Sequence, residues 1–222
     1  MGARAVITID GPAGAGKSTV ARLLARSLGY LYLDSGALYR AVAWQASRLG
    51  LDLGDPRALS SFLAEFKPEV TSDKEGFHLW VNGQEISKEL RTPQVSRAAS
   101  RVAVLPRVRR WVKERLRHLA RAGGVVAEGR DQGTVVFPEA EYKFFLDAAL
   151  PTRAARRRQD WQGADSPPLM ENIMAEVAAR DRQDETRAEA PLAIPQGAIF
   201  IDTTDLSIEE VVGQCLARIR AS

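Results

Sequence analysis

The sequence predicts a single α/β domain in which a parallel sheet is flanked by helices. Three observations carry that expectation. Five short apolar segments each run straight into an acidic residue, helical patterns separate them, and the first is followed at once by Gly11-Pro12-Ala13-Gly14-Ala15-Gly16-Lys17-Ser18. Alternating strand and helix patterns mean βαβ units, and the glycine-rich segment fits G-x-x-x-x-G-K-[ST], the phosphate-binding P-loop. At 222 residues the chain can bury one core and carry appendages, but is short for two ordinary domains.

The predicted strands are residues 5–9, 31–33, 125–127, 143–146 and 198–201, and the acids behind them are Asp10, Asp34, Glu128, Asp147 and Asp202. In such sheets ligands gather at the carboxyl ends of the strands. The P-loop sits at the first of these ends, with a helical run over 19–28 after it. Its glycines let successive backbone N–H groups turn inward around a phosphate, and the helix N-terminus adds partial positive charge. Gly11 to Thr19 would therefore cradle the phosphates of a nucleotide. Lys17 would reach the β and γ phosphates, and the Ser18 hydroxyl would meet Mg²⁺, with Asp34 or Glu128 near the remaining ligand positions.

The helices are punctuated by their own chemistry. Asp55-Pro56 is a cap with a first-turn proline, Ser207 with Glu210 forms a capping box, and Gly50 and Gly123 are helix stops. Between 66 and 90 the pattern turns to strand alternation, with Asn82-Gly83 marking a hairpin, so a small antiparallel insert is expected there. The stretch 159–168, with Gly163, Ser166, Pro167 and Pro168, breaks two arginine-bearing helices and marks the tip of a short helical lid over about 153–168. Arg153, Arg156 and Arg157, spaced i, i+3 and i+4, share one face of the first of them.

Composition narrows the function classes. Net charge is +3, and arginine makes up most of the basic side chains, the better fork for phosphate and carboxylate. The single Cys215 falls on the apolar stripe of the last helix, so no internal disulfide is possible. The first apolar run stops at Asp10, which leaves neither a signal peptide nor a membrane span in prospect and points to a cytoplasmic protein; a monomer is expected. His78 and His118 have no acid or serine at triad-like or metal-like spacing and read as structural.

A P-loop serves kinases, GTPases and helicases alike, so the rest of the site must decide. Three further segments pair arginine with carboxylates and hydroxyls: Leu33-Asp34-Ser35-Gly36-Ala37-Leu38-Tyr39-Arg40, Glu128-Gly129-Arg130-Asp131-Gln132-Gly133-Thr134, and Arg180-Asp181-Arg182-Gln183-Asp184-Glu185-Thr186-Arg187. With the P-loop, in this order and over nearly the whole chain, they resemble the bacterial-type cytidylate kinases. The resemblance implies a nucleoside monophosphate kinase fold and phosphoryl transfer from ATP to CMP or dCMP. It places Arg40, Arg130 and Arg187 on the acceptor phosphate, Asp184 and Arg180 on the ribose, and Ser100, Arg109 and Asp131 on the cytosine, with Ser35 at base or sugar. Arg153, Arg156 and Arg157 correspond to the family's lid arginines, Arg156 on the ATP side. Cytosine shows an amino donor beside two acceptors, which a carboxylate opposite an arginine can meet.

Two other readings compete. The same chemistry could act on UMP, AMP or a small metabolite. A nucleic-acid-binding ATPase is suggested by Arg107, Arg109, Arg110, Lys113, Arg115, Arg117 and Arg121 on one helix. Stacking aromatics are not interleaved there beyond Trp111, and Val108, Val112, Leu116 and Leu119 make the opposite, buried stripe. The charges are then that helix's wet face, and no nucleic-acid partner is expected.

Overall fold

A computed structural model of the protein describes residues 5–72, 76–159 and 168–221. Strands β1 (Val6–Asp10), β2 (Leu31–Asp34), β6 (Val125–Glu128), β7 (Tyr142–Asp147) and β8 (Ile199–Asp202) form one sheet in the order β2-β6-β1-β7-β8. Every neighbouring pair is parallel. All five expected segments are strands, but each extends one residue further than its apolar run, into the acid. Register explains it, since Asp34 stands opposite Glu128 and Asp147 opposite Asp202. The strand-end acids are thus aligned along the edge where the loops gather.

Helices α1 (Lys17–Leu28), α2 (Ser35–Arg48) and α3 (Pro56–Glu65) follow the first two strands. The Asp55 side chain accepts from Arg57 N and Pro56 opens α3, as expected. The hairpin insert comes next, with β3 (Glu69–Ser72), β4 (Phe77–Val81) and β5 (Gln84–Glu85) antiparallel. Its turn holds Asn82 at φ 51° and Gly83 at φ 77°, the left-handed pair a two-residue hairpin demands. His78 Nδ1 meets Glu85 Oε1 at 2.8 Å across the hairpin.

Helices α4 (Pro93–Val102) and α5 (Pro106–Leu119) lead back to β6, and α6 (Leu150–Arg158), α7 (Met170–Thr186) and α8 (Ile208–Arg220) complete the chain. Ser207 caps α8 with the expected capping box. On α5, Val108, Val112 and Leu116 are buried in the main core, so the stripe expected there faces inward. That core packs helices on the sheet, while Ala154, Ile173 and Val177 form a second small cluster between α6 and α7. Most of the break expected at 159–168 lies outside the described residues. Cys215 is fully buried on α8, and burial pushes its thiol up to about 12.

Candidate active site

The P-loop begins where β1 ends, and its shape is imposed by close approach. Gly11 has φ 143°, and a Cβ there would lie 1.9 Å from the Leu146 carbonyl oxygen. No L side chain fits, so glycine lets the loop leave the sheet beside β7. Lys17 Nζ turns back onto the loop and donates to Pro12 O at 2.6 Å. Burial, and then the neighbouring Arg130, push the Lys17 ammonium down to about 7 against the pull of Glu128. Ser18 Oγ donates to Glu128 Oε1 at 2.7 Å. Burial raises the Glu128 carboxyl, and Asp34 beside it adds to the rise.

A single cavity joins the P-loop to the second and third motif segments. Ala13, Gly14, Lys17 and Ser18 line one side of it, and Ser35, Arg40, Ser100, Arg130, Asp131, Arg157, Arg180, Asp184 and Arg187 line the rest. The cations are braced by acids at the strand and helix ends. Asp34 caps α2 through Ala37 N at 2.8 Å and takes Arg40 Nη2 at 2.9 Å. Asp184 on α7 accepts from Arg130 Nε at 2.8 Å and meets Arg187 at 3.4 Å. Burial works to raise Asp184, but Arg130 and Arg180 outweigh it and hold its carboxyl low. Arg180 itself is brought down to about 10, first by burial and then by Arg130.

Bracing is incomplete. Arg40 Nε and Arg187 Nη2 are buried without a hydrogen-bond partner among the described residues. An unmet buried donor on a charged group costs about 1–3 kcal/mol or more, and two on arginines that line the same cavity call for an anion there.

A family model described as cytidylate kinase matches residues 7–221. The chain belongs to the cytidylate kinase family. It is 46% identical to a cytidylate kinase of Pelotomaculum thermopropionicum over 97% of this chain and 96% of that one. It is 41% identical to a cytidylate kinase of Pasteurella multocida over 99% and 97%. A solved structure of an uncharacterized protein from Eubacterium ventriosum shares the fold, with TM-score 0.54, 13% identity and 99% of each chain covered. Membership leaves the nucleic-acid-binding ATPase and the UMP kinase unfavoured. No helix among the described residues is long and apolar enough to cross a membrane.

Within this cytidylate kinase family member, most motif residues converge, and a few stand one step back. Arg109 lies outside the cavity and pairs with Asp131 from behind, its guanidinium over the Tyr39 ring at 5.8 Å. The lid arginines, expected on one face, diverge because each finds a different partner. Arg157 lines the cavity. Arg153 is buried, reaching Asp181 at 2.5 Å and Ala13 O at 3.1 Å, and Arg156 donates to Thr203 Oγ1 at 2.9 Å and to Thr203 O at 2.6 Å.

Two site-shaping residues, Asp10 and Asp181, were given no role by the sequence. Asp10, wholly buried at the end of β1, accepts from Gln132 N at 2.8 Å and Gly133 N at 2.7 Å. It thereby ties the P-loop strand to the loop that carries Arg130 and Asp131. Burial pushes its carboxyl up to about 7 despite those two amides. Asp181 accepts from Ala13 N at 3.3 Å and so docks α7 on the P-loop. The alternation of acids at strand ends could have flagged Asp10, whereas Asp181 has no local signal.

Proposed function

We propose that the chain transfers the γ-phosphoryl group of ATP to CMP, and to dCMP with it, giving ADP and CDP. The observation that carries this is the pair of unpartnered buried donors, Arg40 Nε and Arg187 Nη2, on arginines that line one cavity with Lys17. An acceptor phosphate would take both donors together with Arg130. Asp184 and Arg180 would hold the ribose. Asp131, fixed by Arg109, would accept from the cytosine amino group near Ser100, with Ser35 close by.

A monophosphate is largely a dianion at pH 7, its second pKa lying near ~6, so the attacking oxygen needs little base catalysis. The barrier is repulsion between two polyanions, which Lys17, Arg130, Arg157 and the loop amides neutralise. Arg153 and Arg156 support this from the P-loop and from Thr203. A Mg²⁺ ion fits beside them. Ser18 Oγ and the Glu128 carboxylate, side by side, would supply hard oxygen donors. Phosphate oxygens and water would complete its shell, and it would offset charge on the transferring group.

The test is ADP release against a panel of nucleoside monophosphates. CMP and dCMP should be used well above UMP and AMP. Equal use of all four would refute the reading.

A further inference from the structure

Gln132 is 1% exposed, yet its Oε1 has no hydrogen-bond partner among the described residues. An apolar side chain of the same length would fill that space without leaving a buried acceptor unmet. The amide is not needed to hold the loop either, because the backbone N–H of Gln132 already donates to Asp10. What the amide adds among the described residues is one hydrogen bond: Nε2 donates to Asp131 Oδ1 at 3.3 Å. Arg109 holds the other oxygen, Oδ2. Room for the amide is provided by Gly129, where a Cβ would come within 2.6 Å of Nε2.

We infer that Gln132 is a positioning residue for acceptor choice, fixing the Asp131 carboxylate in the orientation that accepts from an exocyclic amino group on the acceptor base. The inference rests on the reading of Asp131 given above. A carboxylate's terminal torsion is soft. Held by Arg109 alone, it can turn about its Cβ–Cγ bond. Held at both oxygens, it keeps its plane and offers its remaining lone pairs to the cavity that Asp131 lines. A base with a carbonyl oxygen in place of the amino group then meets a rigid, unpaired acceptor, which is how a polar site rejects an analogue strongly. A carboxylate free to turn could move away from that oxygen, and discrimination would fall.

Gln132→Met keeps the length and removes the donor. The quantities to measure are kcat/KM for CMP and for UMP, KM for ATP, and Tm. The CMP-to-UMP ratio of kcat/KM should fall about tenfold, mainly through a higher KM for CMP. KM for ATP should stay unchanged and Tm should hold or rise, since the unmet acceptor is gone. Gln132→Leu is the second variant if the first does not fold. An unchanged ratio in a folded variant overturns the inference, and so does an equal loss for both substrates with a lower Tm, which would mean packing alone. Asp131→Asn assayed alongside separates the two claims. If it keeps the wild-type ratio, the reading of Asp131 fails and takes this one with it. If it loses the ratio while Gln132→Met keeps it, only the role of Gln132 fails.

Discussion

Lys17 shows how a single side chain is tuned by what surrounds it. Its ammonium lies near 7 because it is buried and has Arg130 beside it, while the phosphates of ATP would favour the charged form. The sign follows directly. The free protein has partly lost this proton at pH 8, the complex regains it, and ATP binding there should take up protons. Calorimetry in buffers of different ionisation enthalpy measures that uptake, which should vanish in Lys17→Met. In Lys17→Ala, kcat should drop about 10²–10³-fold, the usual worth of one preorganised charge at a transferring group. Arg187→Ala and Arg40→Ala should instead raise KM for CMP far more than KM for ATP, since the proposed function gives their unmet donors to the acceptor phosphate. Equal losses for both nucleotides would contradict that division.

Among the elements, α6 and α7 carry the least obvious design. Asp181 on α7 accepts from the P-loop at Ala13 N and pairs with Arg153 on α6, so one carboxylate holds both helices to the phosphate loop. Removing it takes away the nearest carboxylate of the buried Arg153 guanidinium, which keeps Asp147 at 3.7 Å and the carbonyls of Ala148 and Ala13, a loss of about 1–3 kcal/mol. Asp181→Ala should therefore lower stability in urea by that order and raise KM for ATP. Such long-range choices are what local patterning cannot express. The strands, the Asn82-Gly83 turn and the Ser207 cap were legible because their causes lie within a few residues. The three lid arginines were correctly placed on one helix, but i, i+3, i+4 spacing says nothing of partners at Thr203 or Asp181, 47 and 28 residues away. Lys17, Arg40, Arg130, Asp131, Asp184 and Arg187 in the cavity were legible because each came inside a motif, whereas Ser100 and Arg157 lie outside those segments. Asp10, buried and bound to amides 122 and 123 residues on, could be seen only as a strand end.

For the whole molecule, a net charge of +3 conceals a strongly uneven distribution. Lys17, Arg130 and Arg180 sit close enough to perturb one another in one cavity. An anion that binds there relieves repulsion built into the native state and has no such site in the unfolded chain. At a hundredfold excess over Kd a ligand adds about 2.7 kcal/mol of stability. CMP should thus raise Tm measurably, and the rise should shrink in Arg187→Ala. A Tm indifferent to CMP would place the nucleotide elsewhere.

The sealed thiol on α8 turns the protein into its own stopwatch. Cys215 is the sole cysteine of the chain, fully buried and with its thiol driven up to about 12. Because only the thiolate of an accessible cysteine is attacked, a sulfhydryl reagent must wait until α8 comes away from the core. The labelling rate then counts those openings one molecule at a time, with no mutation and no attached dye.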